Sequence, residues 1–181
     1  MLIEAESVQK VTKICESTGC CYSGLGPDSK VLVRKGRKNA QAYYRTYLTH
    51  QPVQETVREL ATVMQEYTQS GGVRPMGVSL LVAGCDEGGP ALFQTDPSGA
   101  YFAWKAAAIG KNYVNARKFL EKRVTDDLDI EDAVHTCLLA LKDGFDGEMS
   151  EQNIEVGVVD TTTKQFRTLS PEEVAEYLNN L

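Results

Sequence analysis

Histidine is scarce in this chain: His50 and His135 are its only two among 181 residues. With so few imidazoles, and no Cys or carboxylate pattern at metal-ligand spacing, a zinc site is not expected. His135 and Cys137 are two apart in a helical stretch, so they face different ways and do not act as a pair. The five cysteines are odd in number and contain no C-x-x-C. That fits reduced, structural thiols in a cytosolic or nuclear protein better than a disulfide framework. Positive charge is also in short supply. A net charge of -6 argues against general nucleic-acid affinity, which needs concentrated cations to meet phosphates. No apolar run approaches the roughly 20 residues of a membrane-spanning helix. The start, M-L-I-E-A-E-S, has neither a basic region nor a long apolar core, and does not read as a signal peptide. What remains is 42% hydrophobic and 24% charged, an ordinary globular balance, and the reading is one domain over 1–181 with a real core.

The stretch from Gln69 to Arg123 organises that core. Val78 to Ala83 is a nearly unbroken apolar run between glycines, the pattern of a strand covered on both faces. Asp96-Pro97-Ser98-Gly99 has type I turn chemistry: an acceptor first, a preset φ second, glycine fourth. It joins a strand over Ala91–Thr95 to one over Ala100–Ala108. Upstream, Ser7–Ile14 and Gly19–Ser23 read as strands. A helix follows, with Asp28 as N-cap and Leu32, Gly36, Ala40, Tyr43 and Tyr47 on one face. A second helix, about Pro52 to Gln69, buries Val53, Val57, Leu60, Ala61, Met64 and Tyr67 at 3.6-residue periodicity. Downstream, a helix from about Asn112 to Val124 is expected to bury Tyr113, Ala116, Leu120 and Val124. The next, Asp129 to Asp143, places Ile130, Ala133, Val134, Cys137, Leu138 and Leu141 on one stripe. Ile154–Asp160 and Gln165–Leu169 form a closing hairpin. Ser170-Pro171-Glu172-Glu173 then supplies a cap, a first-turn proline and a glutamate at the third position, with Leu169 and Val174 as staple. The order is ββ-αα-βββ-αα-ββ-α, which predicts helices layered over antiparallel sheets.

Chemistry is sparse in this pattern. Ser23-Gly24-Leu25-Gly26 resembles part of a phosphate loop but lacks the Lys-Ser/Thr, and reads as a tight strand-to-helix turn. Lys30, Arg34, Lys35, Arg37 and Lys38 form a basic helix face, solvated first and a contact for an acidic partner second. Tyr101, Phe102 and Trp104 read as packing residues, and Thr161-Thr162-Thr163 as a hairpin turn. No cofactor is implied.

Y-S-G-L-G-P-D at 22–28, M-Q-E-Y-T-Q-S-G-G-V-R-P-M-G-V-S-L-L at 64–81, F-Q-T-D-P-S-G-A-Y-F-A-W-K-A-A-A-I-G-K-N-Y-V-N-A at 93–116 and F-L-E-K-R at 119–123 resemble the proteasome alpha subunits. The likeness extends over essentially the whole chain, with Met76 in place of the aromatic usual after Arg-Pro. It implies an α+β fold, the four-layer αββα sandwich of the N-terminal nucleophile hydrolase type, with two antiparallel sheets between helix layers. It also implies that a gating tail, a helix and two strands, on the order of 30 or more residues, precede the position matching Leu2. On this expectation the domain is N-terminally incomplete, and such a chain alone is weakly stable and prone to associate.

The functional expectation follows from the same likeness. Beta subunits cleave peptides with an N-terminal threonine whose own amine is the base. Alpha subunits form outer seven-membered rings, control substrate access, template beta assembly and receive activators. This chain begins Met1-Leu2 and its first threonine is Thr12, so it reads as non-catalytic; a beta-type threonine peptidase is the alternative, and a stand-alone binding module a third reading. The resemblance maps the loop that narrows the axial channel onto Ser70, Gly71, Gly72 and Val73. Two glycines suit it, since backbone crowds an axis best without side chains; an ordinary helix-ending turn at Gly71 is the plain alternative. Arg74 and Pro75 fix how the loop enters the strand, and Gly77, Asp96, Pro97, Ser98, Gly99, Lys105 and Gly110 complete the family signature. The implied partners are neighbouring alpha subunits, beta-ring subunits and a regulatory particle or activator, with no nucleic acid and no membrane, in the cytoplasm and nucleus.

Overall fold

A computed structural model of the chain describes residues 7–125 and 127–181; Met1 and Leu2, on which the reading of the start rests, lie outside them. The elements are β1 (Val11–Cys15), β2 (Thr18–Gly24), α1 (Gly26–Tyr47), α2 (Val53–Gln69), β3 (Val78–Asp86), β4 (Gly89–Thr95), β5 (Tyr101–Ala103), α3 (Tyr113–Arg123), α4 (Ile130–Lys142), β6 (Gly157–Val159), β7 (Phe166–Thr168) and α5 (Pro171–Asn179). Their order is the one the sequence predicts.

β1 to β5 form one antiparallel sheet in chain order, and β6 and β7 form a separate hairpin. Register decides which side chains meet the helices. Val82 stands opposite both Cys20 and Phe93, and Leu80 opposite Tyr22 and Thr95. Side chains alternate across a strand, so these residues share one face. Cys20, Tyr22, Leu80, Val82 and Phe93 pack there with Leu32 of α1 and Val57, Leu60 and Met64 of α2 in the larger hydrophobic cluster.

The second face is covered differently. Burial along β3 alternates: Val78, Leu80 and Val82 are buried, whereas Ser79, Leu81 and Ala83 are only half-buried. The expectation of a strand covered on both faces is therefore refined: the second face is half-buried, and among the described residues it is backed by the two-stranded β6–β7 hairpin. That hairpin is fastened by Phe166. Its ring lies on Gly19, where a Cβ would fall 2.2 Å from the ring carbons, and its amide donates to the Glu16 carbonyl at 2.7 Å. Beyond the hairpin, Val134 and Leu138 of α4 and Val174 of α5 join Ile154 and Leu169 in a smaller cluster. Helices, sheet, sheet and helices thus stack in four layers, an α+β sandwich.

Several local expectations are corrected. β5 ends at Ala103 rather than Ala108. On α3 only Leu120 is buried, and Tyr113 is exposed. On α4 Val134 and Leu138 are buried, but Ile130, Leu141 and Cys137 are exposed. Phe102 and Tyr47 are also exposed, each at 61%. For the exposed side chains the 3.6- or 2-residue pattern chose the right elements, but among the described residues no further layer stands opposite those positions. The cap of α5 is as read: Ser170 accepts from the Glu173 amide while the Glu173 carboxylate accepts from the Ser170 amide. Asp129 caps α4 by accepting from Asp132.

β1 is an edge strand, and side chains occupy its outward backbone groups. The Glu155 carboxylate accepts from the Lys10 and Val11 amides, at 2.8 Å from the latter, and Arg37 Nε donates to the Lys13 carbonyl at 2.9 Å. An open groove of about 920 Å³ runs along this edge, floored by Val11, Ile154, Leu169 and Val174.

Candidate functional site

α1 and β3 both begin beside the segment that links α2 to β3. Pro27 lies in the first turn of α1, where a missing amide costs nothing and φ is already helical. No side chain caps this helix. Asp28, expected to do so, sits inside the first turn and reaches out of it instead. Its carboxylate takes a two-pronged bond from the Arg74 guanidinium, 2.6 Å to Oδ2 and 2.9 Å to Oδ1, and accepts from the Gly77 amide at 2.9 Å. Arg74 also donates to the Pro75 carbonyl at 3.0 Å, which fixes its planar fork in place.

The crossing beneath this carboxylate is close. The Leu25 amide donates to the Gly77 carbonyl at 2.8 Å. Gly24 has φ +123, and a Cβ on it would sit 2.2 Å from that same carbonyl oxygen. Only glycine lets the two backbones meet there.

The other end of the segment is tied to α2. The Ser70 amide and hydroxyl both bond the Glu66 carbonyl, at 3.1 and 2.9 Å. Ser70 itself is extended, so the helix is closed without a left-handed glycine. Gly71 and Gly72 form a turn directly after it, so the plain reading of a helix-ending turn stays compatible with the geometry; the residue of that turn with positive φ is Gly72, at +79. Between the two anchors, Gly71, Gly72 and Val73 are exposed, and apart from the adjoining residues no heavy atom lies within 4 Å of where a Cβ on either glycine would stand.

The remaining signature residues support neighbouring elements. Asp96 to Gly99 form the expected turn: the Gly99 amide donates to the Asp96 carbonyl at 3.0 Å, and the Ser98 amide and hydroxyl bond the Asp96 carboxylate. Gly99, at φ +84, presses on the α2 backbone, where a Cβ would lie 2.8 Å from the Ala61 carbonyl oxygen. Pro97 is part of that turn. Gly110, at φ +92, lies against Ser23 beside the Gly24 crossing, and Lys105 is exposed in the segment before it. The structure thus brings Arg74 and Gly77 onto Asp28 and ties Ser70 to Glu66, while Asp96 to Gly99 brace α2.

Electrostatically, the Arg74 hydrogen bond and then the Gly77 amide hold the Asp28 carboxyl below the usual carboxylate range. Asp28 in turn pushes the Arg74 guanidinium up. Burial pushes the Cys20 thiol up to about 12, so it is a packed group and not a nucleophile. Among the described residues no group of three or more His, Cys, Asp or Glu could hold a metal ion. The arrangement holds a backbone shape and sets up no proton transfer. Sequence reasoning missed Asp28 because an acidic residue after Gly-Pro at a helix start is also the pattern of a cap. A lone arginine between a glycine pair and a proline was the signal that could have located its partner.

Comparison with known proteins gives a consistent result. The family model described as Proteasome subunit matches residues 1–159. The chain is 54% identical over 181 residues to the proteasome subunit alpha type-2 of Oryza sativa subsp. indica, covering 100% of this chain and 77% of that protein. It is 57% identical over 178 residues to the alpha type-2-B subunit of Arabidopsis thaliana, covering 98% and 75%. The alpha type-2 subunit of Drosophila melanogaster is 53% identical over 180 residues, covering 99% and 76%.

Proposed function

The chain belongs to the proteasome subunit family, and from that premise we propose that it lines and restricts the axial channel of the outer ring. It assembles with other proteasome subunits, as a structural member of the non-catalytic alpha class that its relatives' names share. Its immediate neighbours on this reading are alpha subunits on either side, beta subunits below and an activator above, in the cytoplasm and nucleus.

The observation that supports a channel-lining role is the segment Ser70–Val73, tied at both ends and unsupported between them. A loop built this way places bare backbone in open space at a defined position. A channel needs that from each subunit, because side chains at a shared axis would collide. The loop sits between two helices and a strand that are themselves well packed, so the rigid scaffold carries the aim and the glycines supply the thinness.

The test uses the full-length subunit in cells. It should purify within seven-membered rings together with other proteasome subunits. Gly71→Phe should leave folding unchanged, since Gly71 has open space around it and is not among the positive-φ glycines. In assembled particles it should slow degradation of an unfolded protein while a short peptide is still cleaved. Purification without rings would overturn the assembly reading, and unaltered protein degradation by the Gly71→Phe particle would overturn the channel reading.

A further inference from the structure

The structure assigns to Asp28 the role of anchoring the channel loop: its carboxylate, fixed at the start of α1, sets where Gly71 to Val73 project. This rests on the channel reading above and adds to it the residue that holds the loop's position.

Three bonds converge on this one carboxylate from the far side of the loop: two from Arg74 and one from the Gly77 amide. Arg74 is the first residue after the unsupported stretch, so whatever fixes Arg74 fixes one end of the loop. Proteins use the paired N–H geometry of arginine where orientation matters, because two parallel bonds define a plane and a direction. The Asp28 side chain is only 13% exposed whereas that of Arg74 is 62% exposed. The carboxylate is thus the stationary partner and the guanidinium the one that reaches in from the loop. Asp28 is stationary because α1 is 22 residues long and is buried through Ser29, Leu32, Gly36 and Ala40. Its place in the first turn of α1 also puts a negative charge at the positive end of the helix dipole. The opposite anchor, Ser70 on Glu66, belongs to α2. The loop is thereby suspended between the first turn of one helix and the last turn of the next. Removing Asp28 frees one support and leaves the other, which lets the glycine stretch swing without unfolding the layer beneath it.

The consequence is a prediction about leakage. Core particles carrying the full-length subunit with Asp28→Asn, Arg74→Gln, or both should assemble. Their basal hydrolysis of a short fluorogenic peptide, without activator, should rise about threefold or more as the restricting conformer is depopulated. After opening with a low concentration of detergent, native and variant particles should hydrolyse at the same rate, which a damaged assembly would not do. The double variant should leak no more than the worse single one, because both break one unit. Arg74→Lys, which keeps charge and loses the fork, should fall between. If Asp28→Asn particles fail to form, Arg74→Gln carries the test, since it leaves the carboxylate free to hold the Gly77 amide. Basal rates equal to native in Arg74→Gln, with Gly71→Phe still altering protein degradation, would overturn the anchoring role and leave the channel reading standing. Silence of Gly71→Phe as well would remove both.

Discussion

The two halves of this molecule hold themselves together in different ways. Residues 11–103 pack α1 and α2 against one face of a five-stranded sheet, and Leu32, Val53, Val57, Met64, Leu80 and Val82 are almost wholly removed from water. Residues 113–179 use shorter elements, and among the described residues their smaller cluster has five buried members, including Val134, Leu138 and Val174. Apolar burial is the chief favourable contribution to folding, so the first half has more packing behind it than the second. The loop proposed to act at the channel springs from the well-buried half. Shape that must be exact in position is carried by the part with most packing behind it.

The sharpest test of that contrast is a matched pair of truncations. Leu80→Ala, at a site with no exposure, should cost about 3 to 4 kcal/mol, and Leu138→Ala about 2, because a thin cluster collapses more readily around a void. Urea unfolding of each variant checks this, and equal losses would erase the distinction. Next in size is Phe166→Ala, at about 3 kcal/mol or a little less. Its ring is what fastens the hairpin to Gly19. The variant should speed amide exchange in β6, β7 and α5 while α1 and α2 keep their protection. Uniform acceleration would show one cooperative body. Ser170→Ala removes half of a capping box and should cost about 1 kcal/mol, visible as fraying of α5 alone.

The smallest expected effect is on pH. Asp28 has a depressed folded pKa, so its contribution is complete above the ordinary aspartate value of about 3.9 and is lost as pH falls through the lower folded value. Exchange at Val73 to Gly77 should be insensitive to ionisation between neutral pH and pH 5, once corrected for the intrinsic rate, and rise only in stronger acid. A change near neutrality would mean another group holds the loop.

How much of this was readable beforehand depended on whether the deciding contact was local. Element order, the Asp96–Gly99 turn and the α5 cap were all legible because each is set within a few residues, by Pro97 and Gly99 or by Ser170 and Glu173. Leu32, Leu60 and Met64 were legible because period alone places them inward, whereas Leu80 lay in an apolar run without alternation that did not say which face is the deeper one. The errors fell where a neighbour distant in sequence decides. Tyr113, Ile130 and Leu141 follow apolar periods yet face water, since periodicity marks a stripe but not whether anything covers it. Asp28 was misassigned for the same reason: its partners are 46 and 49 positions away, and nothing adjacent to it announces them. The place of Ser70–Val73 between α2 and β3 was legible from its motif, as was Arg74 at its exit, but the Asp28 partner and the Ser70 tie to Glu66 were not.

The blunted border of β1 has a final consequence. Naked strand margins invite lateral zipping into fibres. Here Glu155 and Arg37 fill the hydrogen-bonding positions at Lys10, Val11 and Lys13 with side chains of the same molecule. A member of a family of assembling subunits thereby offers its neighbours a margin whose bonding positions there are already taken.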